Sequence, residues 1–272
     1  MHTHRPQWLS FVAPVLLAAS LLATQADAAQ APIRRLPDGK PDISGYYMAD
    51  AGGANYGLEQ REYEFLTPAS RGHVVDPPDG KLPYLPWARA EQRERVLPHR
   101  GYDDPTAHCF VAGVPRSMYV PAPLHILQPP GYVIILLERM SYRTIPLDGR
   151  AHLPDNIRLW QGDSVGRWEG DTLVVETRNL NGKTWLNEYG DVVSHAETVV
   201  ERFIPVDADT ITYRATVTDP LVYTRPWTIE MPLKRQPEEI LEVACHEDNA
   251  DLQHLKEVRD AWRAQQAREK QP

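Results

Sequence analysis

The sequence predicts a mainly β protein: an antiparallel meander closing as a lipocalin-like barrel or a strongly curved sheet, with an irregular proline-rich N-terminal arm and a short C-terminal helix. Three observations predict it. About seven β-forming runs follow one another after Cys109, separated by short loops. Within the later runs, apolar and polar residues alternate with the two-residue period of a half-buried strand. Twenty-five prolines, concentrated before residue 130, argue for extended or irregular chain there in place of helices.

The elements follow in order. His2 to Arg5 precede an apolar run from Trp8 to Leu22, and Ala26-Asp27-Ala28-Ala29 supplies small residues where a leader is cut. This is the pattern of a signal peptide over residues 1–28 with cleavage near Ala28, which implies a periplasmic or secreted protein. No later run approaches the ~20 apolar residues of a spanning helix, so no membrane insertion is expected. Residues 29–104 read as an irregular arm wrapping the barrel, with Pro-Asp-Gly-Lys turn signals at Pro37 to Lys40 and Pro78 to Lys81. The exception is Trp87 to Val96, whose Ala-Arg-Ala-Glu-Gln-Arg-Glu-Arg run favours a polar surface helix.

Residues 105–272 read as the barrel domain with its terminal helix, and two short domains are the alternative division. Tyr132 to Leu137 is a continuous apolar β run, and Ser141 to Leu147 follows before an Asp148-Gly149 turn. The stretch Trp160 to Thr177 reads as a hairpin whose second strand is Leu173 to Thr177. Thr198 to Ile204, Ile211 to Val217, Trp227 to Leu233 and Ile240 to Cys245 complete the meander. Ile211, Tyr213, Ala215 and Val217 alternate with Thr212, Arg214 and Thr216, giving one dry and one wet face. Closure removes exposed edges. Arg259 to Glu269 reads as a polar helix.

The chain has two cysteines, Cys109 and Cys245. In an oxidising compartment they are expected to pair, and closing so long a loop removes about 4–5 kcal/mol of unfolded-state entropy. The competing reading is a thiol nucleophile. The net charge of −8 is spread along the chain, which disfavours a nucleic-acid partner and offers no basic patch to a membrane surface. Oligomeric state is not legible.

Several phrases together resemble a family of exported bacterial β-rich proteins. They are Pro83 to Trp87, Asp104 to Cys109, Gly113 to Arg116, Ile145 to Arg150, the Gly162-Asp163-Ser164-Val165-Gly166-Arg167-Trp168-Glu169 hairpin running on to Thr177, Asp219-Pro220 with Tyr223 to Trp227, and Ala244-Cys245-His246-Glu247. The resemblance covers nearly all of the chain beyond the leader. It implies a shared exported β-rich fold and both cysteines, and it carries no catalytic assignment. The family often has a proline-rich version of Phe110-Val111-Ala112 and a glycine where this chain has Asp248, so the loop after Cys245 departs from its pattern.

Candidate site residues come from the strands and their rims. His195 opens a run in which Glu197 and Glu201 fall at alternate positions, a face that suits proton transfer if it lines a partly polar lumen and that is simply solvated if the strand lies at an edge. His246 and Glu247 follow the expected disulfide and point to opposite sides, so either joins the cavity or hydrogen-bonds a loop. Asp163, Arg167 and Glu169 read as ligand-orienting residues or as turn chemistry, and Trp168 as part of an aromatic wall. Trp185, Tyr223 and Arg225 offer an aromatic and guanidinium wall, with Trp227 as core. No His-x-His, His-Glu-x-x-His or Cys-x-x-Cys spacing is present, so a metal site would need distant residues such as His152, His195 and His246; none is assigned. No glycine-rich phosphate loop or Gly-x-Ser-x-Gly elbow occurs.

The expectation is an exported enzyme doing cofactor-independent acid–base chemistry, of isomerase, lyase or hydratase type, on a small glycoside, phenolic or terpenoid-like molecule. His195, Glu201, His246 and Glu247 are its candidate acids and bases. The alternative is a non-catalytic periplasmic binding or carrier protein using the same pocket. A third reading, an accessory or assembly protein, requires an exposed arm and a filled barrel.

Overall fold

A computed structural model describes residues 32–63, 68–139 and 141–270, so the expected signal peptide lies outside the described residues. Ten strands form one antiparallel sheet: β1 (Gly45–Ala49), β2 (Val74–Asp76), β3 (Leu124–Leu127), β4 (Tyr132–Leu137), β5 (Ser141–Pro146), β6 (Asp163–Glu169), β7 (Thr172–Arg178), β8 (Thr198–Pro205), β9 (Thr210–Thr218) and β10 (Trp227–Arg235). Along the main path the order is β5-β4-β3-β1-β10-β9-β8-β7-β6, and β2 pairs with β10 beside β1. Helix α1 (Pro86–Arg95) precedes β3, and helix α2 (Ala250–Glu269) ends the described chain.

The sheet curls until its end strands meet, giving a nearly closed barrel. β5 and β6 share no backbone ladder; side chains bridge them instead. Arg143 Nη2 donates to Ser164 Oγ at 3.2 Å and Gln161 Nε2 to Ser141 Oγ at 2.9 Å. Gly166 makes the approach possible, because a Cβ there would stand 2.8 Å from Ile145 and 2.9 Å from Leu147.

Period-two alternation decides what fills the barrel. In β8, Val199, Glu201 and Phe203 are buried; in β9, Ile211, Tyr213, Ala215 and Val217; in β10, Trp227, Ile229, Met231 and Leu233. One acidic member of this inward set, Glu201, pairs with Arg143 of β5, and Tyr213 bonds the same carboxylate. Arg143 Nη1 donates to Glu201 Oε1 at 2.9 Å, Nη2 bonds Glu201 Oε2, and Tyr213 Oη donates to Glu201 Oε1 at 2.9 Å. Side-chain exposure is 1% for Arg143 and 0% for Glu201, so this pair plugs the lumen.

The structure corrects four element readings. Ile240 to Cys245 is not a strand: both flanks of β10 are taken, by β9 on one side and by β1 and β2 on the other, and Leu241, Glu242 and Ala244 are exposed. The arm is not merely wrapped around the barrel, since β1 sits inside the sheet between β3 and β10 with Tyr47 in the core. Residues 32–270 accordingly fall in one compact unit, across the expected boundary at residue 104. β3 had no reading, because its four residues hide between prolines. Helix α2 starts nine residues before Arg259, where the Asn249 side chain accepts from Leu252 N at 3.2 Å. That side-chain cap is the ordinary helix-start signal.

The disulfide joins Cys109 to Cys245 with a Cα separation of 5.7 Å, closing the expected long loop. Helix α2 is held by His99 stacked on Trp262 at 3.8 Å and by Arg259 over Tyr102 at 3.8 Å. No described helix is long and apolar enough to cross a membrane.

Arg143→Met is expected to destabilise the fold by about 3–5 kcal/mol, because it strands a buried carboxylate. Arg143→Met combined with Glu201→Leu should recover most of that loss. Urea denaturation with the disulfide intact checks it, and a double variant no better than the single one would contradict the account.

Candidate functional site

Inside the barrel the polar groups are largely engaged with one another. Beyond Arg143 and Glu201, Ser164 and Thr177 exchange a hydroxyl bond at 2.9 Å and both lie against the same guanidinium. Burial lowers the basicity of Arg143, but the Glu201 charge and hydrogen bonds outweigh it and leave the pKa raised. The lumen is therefore a filled polar plug, and open volume lies elsewhere.

A cavity of about 320 Å³ lies beside the disulfide. It is lined by Cys109, Cys245 and Val243, by Asn55 and Tyr56, by Arg116 and Ser117, and by Glu188, with Phe110, Leu137 and Gln161 completing much of the wall. Each polar group is placed by local structure. Asp104 caps the short helical turn Pro105–His108, accepting from Thr106 N at 2.9 Å. The same carboxylate receives both Arg116 Nη atoms, at 3.0 and 2.9 Å. Arg116 Nε donates to Asn55 Oδ1 at 3.2 Å, and Asn55 Nδ2 donates to Glu188 Oε1 at 2.8 Å. A continuous chain, Asp104 to Arg116 to Asn55 to Glu188, thus runs from the interior to the mouth. Arg116 Nη1 also reaches the Trp185 carbonyl at 3.4 Å, which leaves one of its five N–H groups unspent.

Glu188 is the titratable end of that chain. Much of the residue faces solvent, yet its carboxyl stands among protein atoms. Burial pushes its pKa up, helped by the Asp104 charge and opposed by Arg116, Asn55 and Arg139. Ser117 Oγ and Gln161 Oε1 have no hydrogen-bond partner among the described residues, although both residues line the cavity. Unspent polar capacity at a partly apolar wall is what a ligand site provides. Phe110 stacks on Trp160 at 4.7 Å and stiffens one side.

The residues expected from sequence lie mostly elsewhere. His195 is exposed in the turn before β8, its carbonyl accepting from Arg158 Nη1 at 3.0 Å. It does not share the inward face of Glu197 and Glu201, because that face begins two residues later. His246 and Glu247 are exposed in the turn after Cys245, and Glu201 is committed to Arg143. Asp163 accepts from the His152 ring at 2.8 Å and from Leu153 N at 3.0 Å. Arg167 pairs with Glu169 on the outer face at 2.5 Å, and Arg225 pairs with Asp76 at 2.6 Å. Trp168 packs half-buried on the core. Tyr223 is buried with its hydroxyl donating to Val192 O at 2.7 Å. Trp185, also buried, serves the cavity only through its carbonyl. His152, His195 and His246 form no group: no cluster of three or more His, Cys, Asp or Glu fit to hold a metal occurs among the described residues.

Arg116, Asn55 and Glu188 went unread. Two signals were present, since Asp104-Pro105-Thr106 is a capping phrase and Gly113 to Arg116 belongs to the resemblance. Asn55 sits in a single short helical turn and Glu188 in irregular chain, with no periodicity to mark either.

An antiparallel barrel with a plugged lumen and a polar cavity at its disulfide-bound flank defines this chain as a β-barrel protein with a small-molecule-sized pocket. Comparison with protein families, curated proteins and solved structures finds no match.

One buried carboxyl stands without any hydrogen bond among the described residues. Glu197 is 1% exposed, and neither side-chain oxygen has a partner among the described residues. Burial, aided by the Asp219 charge, pushes its pKa well up. The native state therefore binds a proton that the unfolded chain releases near the usual glutamate pKa of about 4.3. This contribution to stability is full below that value and is lost as pH rises toward the raised folded pKa. Glu197→Gln, which cannot ionise, should gain stability over wild type between pH 4 and pH 8. Urea midpoints at both pH values test this, and a constant difference would sink it.

Proposed function

We propose that this protein performs acid–base chemistry on a small molecule held in the cavity beside the disulfide, with Glu188 as the proton-transferring group. The observation that carries the reading is the Glu188 carboxyl, raised in pKa by burial and held by Asn55 at the mouth of a cavity containing the Arg116 guanidinium. A carboxyl so raised is a better base than a solvated one and can also deliver its proton back. Arg116, fixed by Asp104 and with one N–H to spare, would stabilise negative charge developing on the substrate. Asn55 positions both.

The reaction class this supports is isomerisation, elimination or hydration, which needs an acid, a base and a sheltered pocket. The substrate class is a small oxygenated molecule with apolar surface, such as a phenolic, terpenoid-like or glycosidic compound. Leu137, Val120, Val243 and Phe110 supply the apolar wall, and Ser117 and Gln161 the polar contacts. Export belongs to the same reading, and a disulfide is compatible with it. His195, His246 and Glu247, exposed in turns, take no part.

Carriage is the second reading. It is favoured by the mutual satisfaction of Asp104 and Arg116, which would leave a pocket that holds without reacting. Thermal-shift screening of a phenolic, terpenoid and glycoside panel would identify binders, and deuterium exchange into the bound compound in D₂O would report proton transfer. Wild type should catalyse exchange, and Glu188→Gln should slow it by about 10²–10⁴-fold with little change in binding. Equal exchange by the variant would remove Glu188 from the chemistry, and tight binding without any exchange would establish carriage.

A further inference from the structure

A second cavity, of about 310 Å³, lies between α1 and the segment after β1. Its wall carries Arg61, Lys81, Arg89 and Arg93 against only Glu59 and Asp191, a surplus of two positive charges. In a chain of net charge −8 such a concentration of cations is not a general property of the surface. Like charges brought together around a concave space repel, and a bound anion relieves the repulsion.

Arg89 and Lys81 are paired, whereas Arg61 and Arg93 keep unspent donors. Arg61 lies 4.2 Å over the Tyr189 ring and its Nη2 bonds the Pro68 carbonyl. Its Nε and Nη1 are buried and find no acceptor among the described residues. Tyr189 is itself fixed, its carbonyl accepting from Gln92 Nε2 at 3.1 Å. Arg89 stacks 4.5 Å over Tyr84 and donates to Glu59 at 2.7 Å, and Lys81 reaches the other oxygen of the same carboxylate at 3.5 Å. One carboxylate therefore serves two cations. Asp191 faces inward, taken by Tyr84 Oη at 2.8 Å and Asn187 Nδ2 at 2.6 Å. Arg93 is exposed and has no carboxylate within ion-pair distance among the described residues.

We propose that this second cavity binds a phosphate-type dianion, either free hydrogen phosphate or the phosphate group of a small monoester, through Arg93, Lys81 and a reoriented Arg61. Two unbalanced positive charges match a dianion. Guanidinium groups suit tetrahedral oxyanions because planar, charge-assisted N–H donors meet several oxygens at once. The cavity is larger than bare phosphate needs, leaving room for a substituent. The site is independent of proton transfer at Glu188, which it neither requires nor supplies.

The test is isothermal titration of the whole disulfide-bonded protein in a phosphate-free, low-salt buffer at pH 7.5, with inorganic phosphate, phenyl phosphate and acetate as probes. Saturable binding of at least one dianion is expected, with acetate much weaker. Arg93→Gln should weaken it by about tenfold, and Arg93 is exposed, so the fold is not at risk. Arg61→Gln should weaken it at least as much, with circular dichroism confirming folding; if it does not fold, Arg93→Gln and Lys81→Gln decide. Tighter binding of phenyl phosphate identifies a monoester site, and equal or tighter binding of inorganic phosphate a free-phosphate site. No saturable binding of either dianion, acetate binding as tightly as phosphate, or an affinity unchanged in Arg93→Gln would each overturn the proposal.

Discussion

The ion pair between Arg143 and Glu201 is the constraint on which the barrel depends. Two charges taken from water cost several kcal/mol each, and only close pairing with additional hydrogen bonds offsets this. The structure supplies both, with Tyr213 on the carboxylate and Ser164 and Thr177 on the guanidinium. These partners come from β6, β7 and β9, while the pair itself joins β5 to β8. The network therefore fixes the seam where backbone pairing fails, and a slip by one residue in any of these strands would turn a network member outward. The same plug fills the lumen, which explains why open volume lies at the flank of the barrel.

At that flank, order comes from a second buried pair and from a covalent bond. Asp104 both caps a helical turn and holds Arg116, so local chain geometry and the guanidinium position are set by one carboxylate. The disulfide brings Cys245 and Val243 to the wall, where residues 240–245 have no sheet partner of their own. Without that bond nothing in the strand ladder would keep this segment over the cavity. The exposed positions of Leu241, Glu242 and Ala244 show how little noncovalent packing it has.

What the sequence made legible follows from periodicity. Six of the expected runs are strands, each at least five residues long and rich in β-branched, aromatic or alternating apolar residues. β1, β2 and β3, at three to five residues, are too short to show a pattern of their own, and their burial is decided by neighbours distant in sequence. The site was harder for the same reason. Alternation places Glu201 on one face with Val199 and Phe203, but only a partner on β5, 58 residues away, makes it structural. His195 lies beyond the end of the strand, in a turn where alternation no longer holds. Glu188 acquires its character from Asn55, 133 residues earlier, and no spacing rule reports such a meeting.

The partition between the two cavities is thin and shared. Asn55 and Glu188 line one side; Gly57, Leu58 and Tyr189 line the other. Glu188 N donates to Asn55 O at 2.7 Å and Asn55 Nδ2 returns a bond to the Glu188 carboxylate at 2.8 Å, so two irregular segments are stitched together at the point that separates the spaces. Beyond the stitch, Arg61 lies on Tyr189. Helix α1 holds the far side of this partition, through Gln92 Nε2 on the Tyr189 carbonyl at 3.1 Å. The position of Glu188 is thus set jointly by the barrel flank that holds Arg116 and by the cation-lined space on its far side.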